Sequence, residues 1–201
     1  RAAPAGVAFD RGDIPLAIES ILGSFQAFRK IGHFNGIVLV GTVAANMAIA
    51  GDRFEVAADV IGELRSMEYG AIAENYLAAI ALNEAWLAHC RGNPESRDGL
   101  LGEALCRAQN ERARVRLRWY VNALAILLPI AVSKGIEIDT ARTLAREFDV
   151  MPSGFAPENW PWPVKVYTLG RFELLIEGGR PEYSRKVPKK VLFLLQAIIA
   201  F

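Results

Sequence analysis

Glycine-centred breaks at nearly regular intervals constrain the fold of this 201-residue chain more than any other sequence feature. Four of them lie 39, 41 and 43 residues apart: Gly12-Asp13, Gly51-Asp52, Gly92-Asn93 and Gly135-Ile136. Glycine suits the left-handed position after a helix C-terminus, and Asp or Asn accepts hydrogen bonds from the free N–H groups of the next helix. Each break therefore predicts the end of one helix and the start of another.

The residues beside these breaks have the chemistry of helix termini. Asp52 and Glu55 resemble a capping box, with Asp in the capping position. Pro94 occupies the first helical position, where proline is best tolerated. Lys134 precedes the fourth break, where a cation complements the negative end of the helix dipole. These residues strengthen the prediction of helix boundaries at the glycines.

Secondary breaks at Gly32, Gly70 and residues 112–116 divide each period into two helices. We predict helices near residues 14–30, 34–50, 53–69, 71–91, 94–112, 116–134 and 138–148. Pro129 lies inside the sixth of these and should kink it. Two antiparallel helices in a period of about 40 residues predict an α-solenoid. An ordinary helical bundle is the alternative.

Composition agrees with a mainly α protein and excludes several other classes. The chain has 30 alanines, 52% hydrophobic residues and a net charge of +1, which favours packed helices and argues against disorder. Its longest apolar stretches, residues 37–50 and 119–132, each have 14 residues and contain Asn46 or Asn122. A bilayer-spanning helix needs roughly 20 apolar residues. We therefore expect buried helices, no membrane partner and, by default, a cytoplasmic protein.

The sequence contains no pattern that predicts catalysis, and we expect neither an enzyme nor a cofactor. It has no phosphate-binding loop, nucleophile elbow or kinase motif. Two cysteines, Cys90 and Cys106, fit no common zinc pattern with His33 and His89. We interpret both cysteines as small apolar thiols in a reduced helical core. The catalytic and metal-binding site predictions are therefore none.

The composition changes after Asp149, since six of the ten prolines lie beyond it. This change predicts a helical repeat domain at residues 1–149, a Trp/Pro linker at 150–163 and a third segment at 164–201. Trp160 and Trp162 are expected to pin the linker to one of its neighbours, because two tryptophans in a linker are poorly placed in water. A peptide-binding aromatic groove is the alternative for these residues.

The third segment changes to a period of two, which predicts strands. One strand begins at Val164, a second covers residues 172–177, and Gly178-Gly179 is typical of a hairpin turn. A short third strand is possible at 182–184, and Pro188 begins an amphipathic helix. Thirty-eight residues cannot readily complete a domain. We expect the apolar face of this helix to need a further partner.

Two basic clusters are candidate anion sites. The segment 164–201 carries a charge of +4, and four of its cations flank the predicted helix start: Arg185, Lys186, Lys189 and Lys190. Cations there oppose the helix dipole, so they form either a solvated face, which we favour for four charges alone, or contacts to DNA phosphates. The second cluster is most simply a solvated turn, with an anion or ligand site as the alternative: Arg112, Arg114, Arg116 and Arg118.

Several stretches of the C-terminal third resemble one family. They are residues 158–163 (ENWPWP), 164–174 (VKVYTLGRFEL), 185–190 (RKVPKK) and 192–195 (LFLL), with 134–137 (KGIE) upstream. Together they resemble the entry into the winged helix-turn-helix domain of large bacterial transcriptional activators, the SARP type and its ATP-dependent relatives of the maltose-activator class. The resemblance implies tetratricopeptide-like repeats followed by an incomplete OmpR/PhoB-like DNA-binding domain.

The same resemblance sets limits on what this chain should do. The second helix, the recognition helix and the wing are missing, and so are the motifs of the switch ATPase, so neither base-reading residues nor ATP are assigned. The chain begins with Arg1 and stops in an apolar run, and we expect a fragment of a longer protein. DNA is expected as a partner of the full-length protein rather than a tight partner of this fragment.

We predict that the repeats bind a protein or small-molecule effector, with self-association possible, and that the linker transmits this state to the DNA-binding domain. Stacked helix pairs form a concave surface suited to binding. Candidate residues on it, placed on the first helix of each pair, are Asn46, Tyr76, Asn83, Trp119 and Asn122, although packing or helix–helix hydrogen bonding is favoured for each. The alternative function is a stand-alone scaffold that binds proteins and has no DNA role.

Overall fold

The computed structural model describes residues 7–8, 11–69, 74–168, 172–182 and 189–200, which are mainly helical. The first five helices are α1 (Ile14–Lys30), α2 (Phe34–Ala50), α3 (Phe54–Ser66), α4 (Glu74–Cys90) and α5 (Pro94–Arg107). Then come α6 (Glu111–Arg116), a 3-10 helix (Leu117–Tyr120), α7 (Val121–Lys134), α8 (Ile138–Glu147), β1 (Val164–Tyr167), β2 (Glu173–Ile176) and α9 (Lys189–Ala200). The chain divides into two compact units: a helical unit, Arg1–Trp160, and a C-terminal unit, Pro161–Phe201.

The first, third and fourth glycine breaks form helix boundaries as predicted. The Asp13 carboxylate accepts a hydrogen bond from the N–H of Leu16 at 3.3 Å, and the Asn93 side chain accepts one from Ser96 at 3.1 Å. Each thereby satisfies an N–H group that the first turn of the helix leaves free. Gly135 ends α7 in the left-handed conformation, with φ of 73°.

The second break works differently from the prediction. Asp52, rather than Gly51, takes the left-handed conformation, and Arg53 precedes α3 with no side-chain cap, so the predicted capping box of Asp52 and Glu55 is wrong. Gly51 has a packing role instead. A Cβ atom on it would lie 2.7 Å from Cδ1 of Ile18, so glycine permits the close approach of α1 to the end of α2. The turn then falls one residue later.

Helices α2 and α4 lie at the centre of the helical unit. Helix α2 packs against α1, α3 and α4, and α4 packs further against α5, α6 and α7. Gly41 allows this density on α2, because a Cβ atom there would lie 2.8 Å from the ring of Phe25 and 3.0 Å from Leu64. Most side chains of α4 are buried, including Ile80, Leu82 and Trp86. The two central helices, with few charged residues, thus form the core.

The break between the fifth and sixth predicted helices lies earlier than predicted. Helix α5 ends at Arg107, and the side chain of Asn110 accepts a hydrogen bond from the N–H of Arg112 at 2.9 Å to begin α6. The prediction of a solvated turn for the arginine cluster is therefore wrong. Its members lie on α6 and the 3-10 helix: Arg112, Arg114, Arg116 and Arg118.

Both cysteines are free thiols, and the prediction that they lie in the helical core is wrong because both are exposed. Cys90 is the last residue of α4, and Cys106 lies on the outer side of α5, so neither helix brings its cysteine into the core. His33 precedes α2, and its Nδ1 accepts a hydrogen bond from the N–H of Gly36 at 3.0 Å. Within the described residues, no group of three His, Cys, Asp or Glu side chains could hold a metal ion.

The C-terminal unit contains a two-stranded antiparallel sheet. Strands β1 and β2 pair with Val164 opposite Ile176, and Gly178, with φ of 80°, forms a turn after β2. The predicted third strand does not begin at Glu182, which has no strand conformation, and residues 183–184 lie outside the described part. Helix α9 comes next, with five large apolar side chains exposed: Val191, Phe193, Leu194, Ile198 and Ile199.

Candidate functional site

A row of buried polar side chains crosses the centre of the helical unit. The Asn46 side-chain amide on α2 donates to Oδ1 of Asn83 on α4 at 3.0 Å. The amide of Asn83 donates in turn to the backbone carbonyl of Thr42 at 2.9 Å. Tyr120 is buried and interacts with the Thr42 side chain, and this burial raises the pKa of its phenol to about 12. Buried polar groups need such partners, so this row fixes the register of the central helices.

The row continues toward Arg116 through Tyr76. The Arg116 guanidinium lies 3.9 Å from the centre of the Tyr76 ring, which is buried on α4. This contact joins α6 to α4 by a cation–π interaction, which is strongest when water is excluded. Arg116 is therefore held against the protein rather than free for an anionic ligand.

The five residues predicted for a concave binding surface divide into two groups. Asn46, Tyr76 and Asn83 are buried: the two asparagines bond each other across α2 and α4, and Tyr76 packs under Arg116, which agrees with the packing role favoured for them. Trp119 and Asn122 are exposed. All five lie on α2, α4 or the continuous helical run Glu111–Lys134, which correspond to the second helix of each pair rather than the first. The first-helix placement is wrong because these positions belong to the helices at the centre of the helical unit.

Exposed residues occupy one side of the helical run Glu111–Lys134. Their spacing of three or four residues places them on the same side of a helix: Arg112, Val115, Trp119 and Asn122. We call these four residues the Trp119 face. Val115 is 57% exposed and Trp119 is 80% exposed, while Arg118 and Val121 beside them are exposed too. A tryptophan in water at a helix surface is unusual because of the apolar area that it leaves unburied.

The same run also anchors the segment after α8. Pro129 lies inside α7 as expected, and since proline has no N–H, the carbonyl of Ala125 four residues earlier lacks its helical donor. The backbone N–H of Ser153 donates to this carbonyl at 2.9 Å. The proline thus creates an acceptor that the segment uses for docking. The kink expected at Pro129 stays a prediction.

Trp160 provides the apolar part of this anchor. Its side chain is 2% exposed. Asn159 next to it donates to the carbonyl of Val132 at 3.4 Å and accepts a hydrogen bond from Arg142 at 3.2 Å. Trp162 is half-buried. The burial of Trp160 makes it a packing residue and removes it from the aromatic groove that was the alternative interpretation of the Trp/Pro linker.

Ion pairs connect helices that are one sequence period apart. On the outer helices, Arg29 pairs with Glu63 at 2.6 Å and Arg65 pairs with Glu103 at 3.2 Å, so α1 is linked to α3 and α3 to α5. Arg65 also pairs with Glu84 on α4. Burial by itself would raise the pKa of Glu103, but hydrogen bonds and charges from Arg65 and Arg107 outweigh it and hold that pKa below its ordinary value.

Sequence reasoning missed these ion pairs and the docking of Ser153. A signal existed for both. The paired charges are 34 and 38 residues apart, close to the period of the breaks, and a proline inside a helix always frees the carbonyl four residues before it. Two features are therefore worth searching for in similar chains: opposite charges separated by the repeat spacing, and a carbonyl that lies four residues before a proline inside a helix.

The predicted DNA-phosphate contacts lie at the start of α9. Lys190 is exposed there, Lys189 belongs to the helix without a described side chain, and Arg185 and Lys186 lie outside the described residues. The first turn of α9 contains no acidic residue. Elsewhere in the C-terminal unit, Arg180 pairs with Glu173 at 2.7 Å and so is engaged within the hairpin.

One helical stretch in the described part of the chain passes a length and composition test for a membrane span, Glu111–Lys134. Half of its apolar window is buried inside the protein, and it packs against α4 and α8, as a core helix does. This observation agrees with a core role, and the cytoplasmic location stays a prediction.

Comparisons with protein-family models, with curated proteins and with solved structures found no match to this chain.

Proposed function

We propose that this chain is the regulatory region of a bacterial transcriptional activator, in which helical repeats bind a protein or small-molecule effector and pass that state to the start of a winged-helix DNA-binding domain. The finer architecture belongs to the same proposal: a tetratricopeptide-like α-solenoid at residues 1–149, a linker at 150–163 and the truncated winged helix at 164–201. The family resemblance of the C-terminal third suggests this identity.

The arrangement of the helices supports a solenoid. Helices α2 and α4 contact each other and α4 contacts α7, so the second helices of successive pairs form one continuous row. The ion pairs Arg29–Glu63 and Arg65–Glu103 connect the first helices in the same order. In a repeat protein each unit contacts mainly its neighbours, which is the pattern that these contacts have.

The observation that carries the coupling part of the proposal is the docked linker. Residues between α8 and the sheet are held by a hydrogen bond from Ser153 to Ala125 and by the buried ring of Trp160. A segment anchored on α7 responds to changes in that helix, whereas a flexible tether would not. The anchor therefore gives the helical unit a physical means of influencing the linker and the DNA-binding segment beyond it.

The C-terminal unit supports the DNA-binding part. A short antiparallel sheet precedes a helix whose first turn carries lysines, and residues 164–201 have a net charge of +4. The apolar side chains exposed on α9 are what the first helix of an incomplete winged helix would present. DNA binding by this chain alone should be weak and independent of sequence, because the recognition helix is not part of it.

Fluorescence anisotropy with a random-sequence DNA duplex tests this proposal. With about three phosphate contacts, we expect affinity to fall about 40-fold between 50 and 200 mM salt, since each contact releases counterions. Lys190→Glu should weaken binding at low salt. Lys30→Glu, the same charge reversal at an exposed position of α1, is the matched control and should leave it unchanged.

The alternative function, a stand-alone protein-binding scaffold, is favoured by the exposed Trp119 face, which needs no DNA to explain it. The two functions differ in the DNA experiment. Absence of binding at low salt, binding that does not depend on salt, or equal effects of Lys190→Glu and Lys30→Glu would contradict the activator and leave the scaffold.

A further inference from the structure

The Trp119 face is the most conspicuous exposed apolar feature of the helical unit. Trp119 is more exposed than any other large apolar side chain in the described part of the chain. Val115, one turn earlier on the same side of the helix, is 57% exposed. Neighbouring apolar side chains exposed in this way mark an interaction surface.

The charges around the Trp119 face are mainly positive. Residues 111–122 contain four arginines and one carboxylate, that of Glu111. Arg114 is paired with Glu147 at 2.9 Å and Arg116 lies over the Tyr76 ring. Arg112 and Arg118 remain exposed on either side of Val115 and Trp119, although Arg118 also lies 5.9 Å from the Phe148 ring. The apolar centre is thus flanked by solvent-facing guanidinium groups.

We propose that the Trp119 face docks an acidic, amphipathic polypeptide segment, whose apolar side chains pack on Trp119 and Val115 and whose carboxylates pair with Arg112 and Arg118. This proposal rests on the proposed protein-binding role of the repeats and specifies the partner's chemistry. Tryptophan and arginine are the residues that most often dominate binding energy at protein interfaces. Guanidinium groups pair with carboxylates through two parallel hydrogen bonds, which adds orientation to the contact.

An acidic polypeptide fits this face better than a nucleic acid does. A nucleic-acid strand presents a phosphate at every residue and is bound along a track of cations. Here Arg112 and Arg118 are separated by the apolar surface of Val115 and Trp119, so these cations do not form such a track. A helix with apolar side chains along one side and acidic side chains beside them matches such a surface.

The docking site lies on the helix that holds the linker. The helical run Glu111–Lys134 carries Trp119 near its middle and the Ala125 carbonyl, which accepts from Ser153, nearly two turns later. A segment bound at Trp119 therefore contacts the element to which the linker is attached. This places the partner where it can stabilise or release the docked linker.

The experiment uses the whole chain and a synthetic probe. The probe is a fluorophore-labelled peptide of about 15 residues with Leu and Phe at helical spacing and Glu or Asp on both flanks. We expect saturable binding by anisotropy, an affinity at least about tenfold lower for Trp119→Ala, and a similar loss for the double variant Arg112→Glu and Arg118→Glu. A second peptide, with every Glu and Asp replaced by Lys, should bind the double variant better than the wild-type chain.

Two exposed positions of the helical unit supply matched controls. Leu16→Ala removes an exposed apolar side chain from α1, and Arg11→Glu reverses an exposed charge before it. Both should bind the acidic peptide as the wild-type chain does. Circular dichroism of Trp119→Ala should be unchanged, since the ring is in solvent.

Three results would overturn the proposal: no binding of the acidic peptide, equal binding by wild type and Trp119→Ala, or binding of a single-stranded oligonucleotide that Trp119→Ala abolishes. The first two results do not decide the proposed function, which is tested separately by salt-dependent DNA binding and by the linker variant Trp160→Ala. The third assigns the face to nucleic acid. If Trp119→Ala instead dissociates a homodimer in sedimentation, the occupant is a second copy of this chain and the proposal is also wrong.

Discussion

Helices α4 and α9 are both rich in apolar residues, yet only α4 is a core helix. Helix α4 buries Leu82 and Trp86 among α3, α5 and α6. Helix α9 is the more apolar of the two, but Phe193 is 72% exposed and Leu194 is 60% exposed. An apolar composition favours burial of a helix, but the helix is buried only if neighbouring elements provide a surface to pack against.

The difference between these helices arises from the elements that surround each of them. Helix α4 has helices on several sides because the repeats place a neighbour before and after it. The sheet of the C-terminal unit has two strands of four residues, which is a small surface for covering a twelve-residue helix. The burial of a helix therefore depends on the elements that surround it. Substitutions in the linker, the core and α9 test which of these regions are packed against the rest of the protein.

Trp160→Ala should produce the largest effect, because it decides whether the segment after α8 belongs to the packed region. Removing a buried tryptophan side chain costs about 3 kcal/mol through lost burial and the cavity that remains. Urea denaturation, followed by the helical circular dichroism signal, measures this change. Protease sensitivity between residues 150 and 163 should rise in parallel.

Trp162→Ala is the matched control for this experiment. Its ring is half-buried, so the same substitution should cost about 1 kcal/mol. If Trp160→Ala leaves both stability and protease sensitivity unchanged, the segment is not anchored to the helical unit and the coupling in the proposed function has no physical basis.

Asn83→Ala should have an intermediate effect on stability. It tests whether the buried hydrogen bonds of Asn83 stabilise the packing of α4. The substitution leaves the amide of Asn46 and an acceptor on Thr42 without their buried partner, and we expect a loss of about 2 kcal/mol. Asn122→Ala, at an exposed position, should change stability by less than about 0.5 kcal/mol. Chemical denaturation of both variants at neutral pH provides the comparison.

A result in which Asn83→Ala is as stable as the wild-type chain would show that the polar row does not contribute to the packing of α2 and α4. The row would then have to be explained by a role other than stability. Equal losses for Asn83→Ala and Asn122→Ala would contradict the distinction between buried and exposed asparagines.

Much of the helical unit could be predicted from local sequence signals. The caps at Asp13 and Asn93 and the end of α7 at Gly135 depend on neighbouring residues, and all three are confirmed. One error arose where a distant contact decided the outcome. Gly51 serves the close approach of Ile18 from another helix, so its role could not be inferred from Asp52 and Glu55 beside it.

The candidate site was less predictable because burial of polar residues is set by packing. Asn46, Asn83, Trp119 and Asn122 all occur in apolar stretches, and sequence alone could not show that two of them face a neighbouring helix while two face water. A helical wheel of residues 111–122 would have placed Trp119 with Arg112 and Val115. It could not have shown which side of the wheel packs against α4.

Phe193→Ala should have the smallest effect and completes the comparison between α4 and α9. The ring is mostly in water, so we expect a change of less than about 0.5 kcal/mol, even though the same loss of a large apolar side chain from α4 would be severe. Binding of a dye that reports exposed apolar surface should decrease in the variant, because Phe193 is part of that surface. A loss of stability comparable to that of Trp160→Ala would mean that α9 is covered by a part of the protein in solution, and the contrast in burial between α4 and α9 would then be wrong.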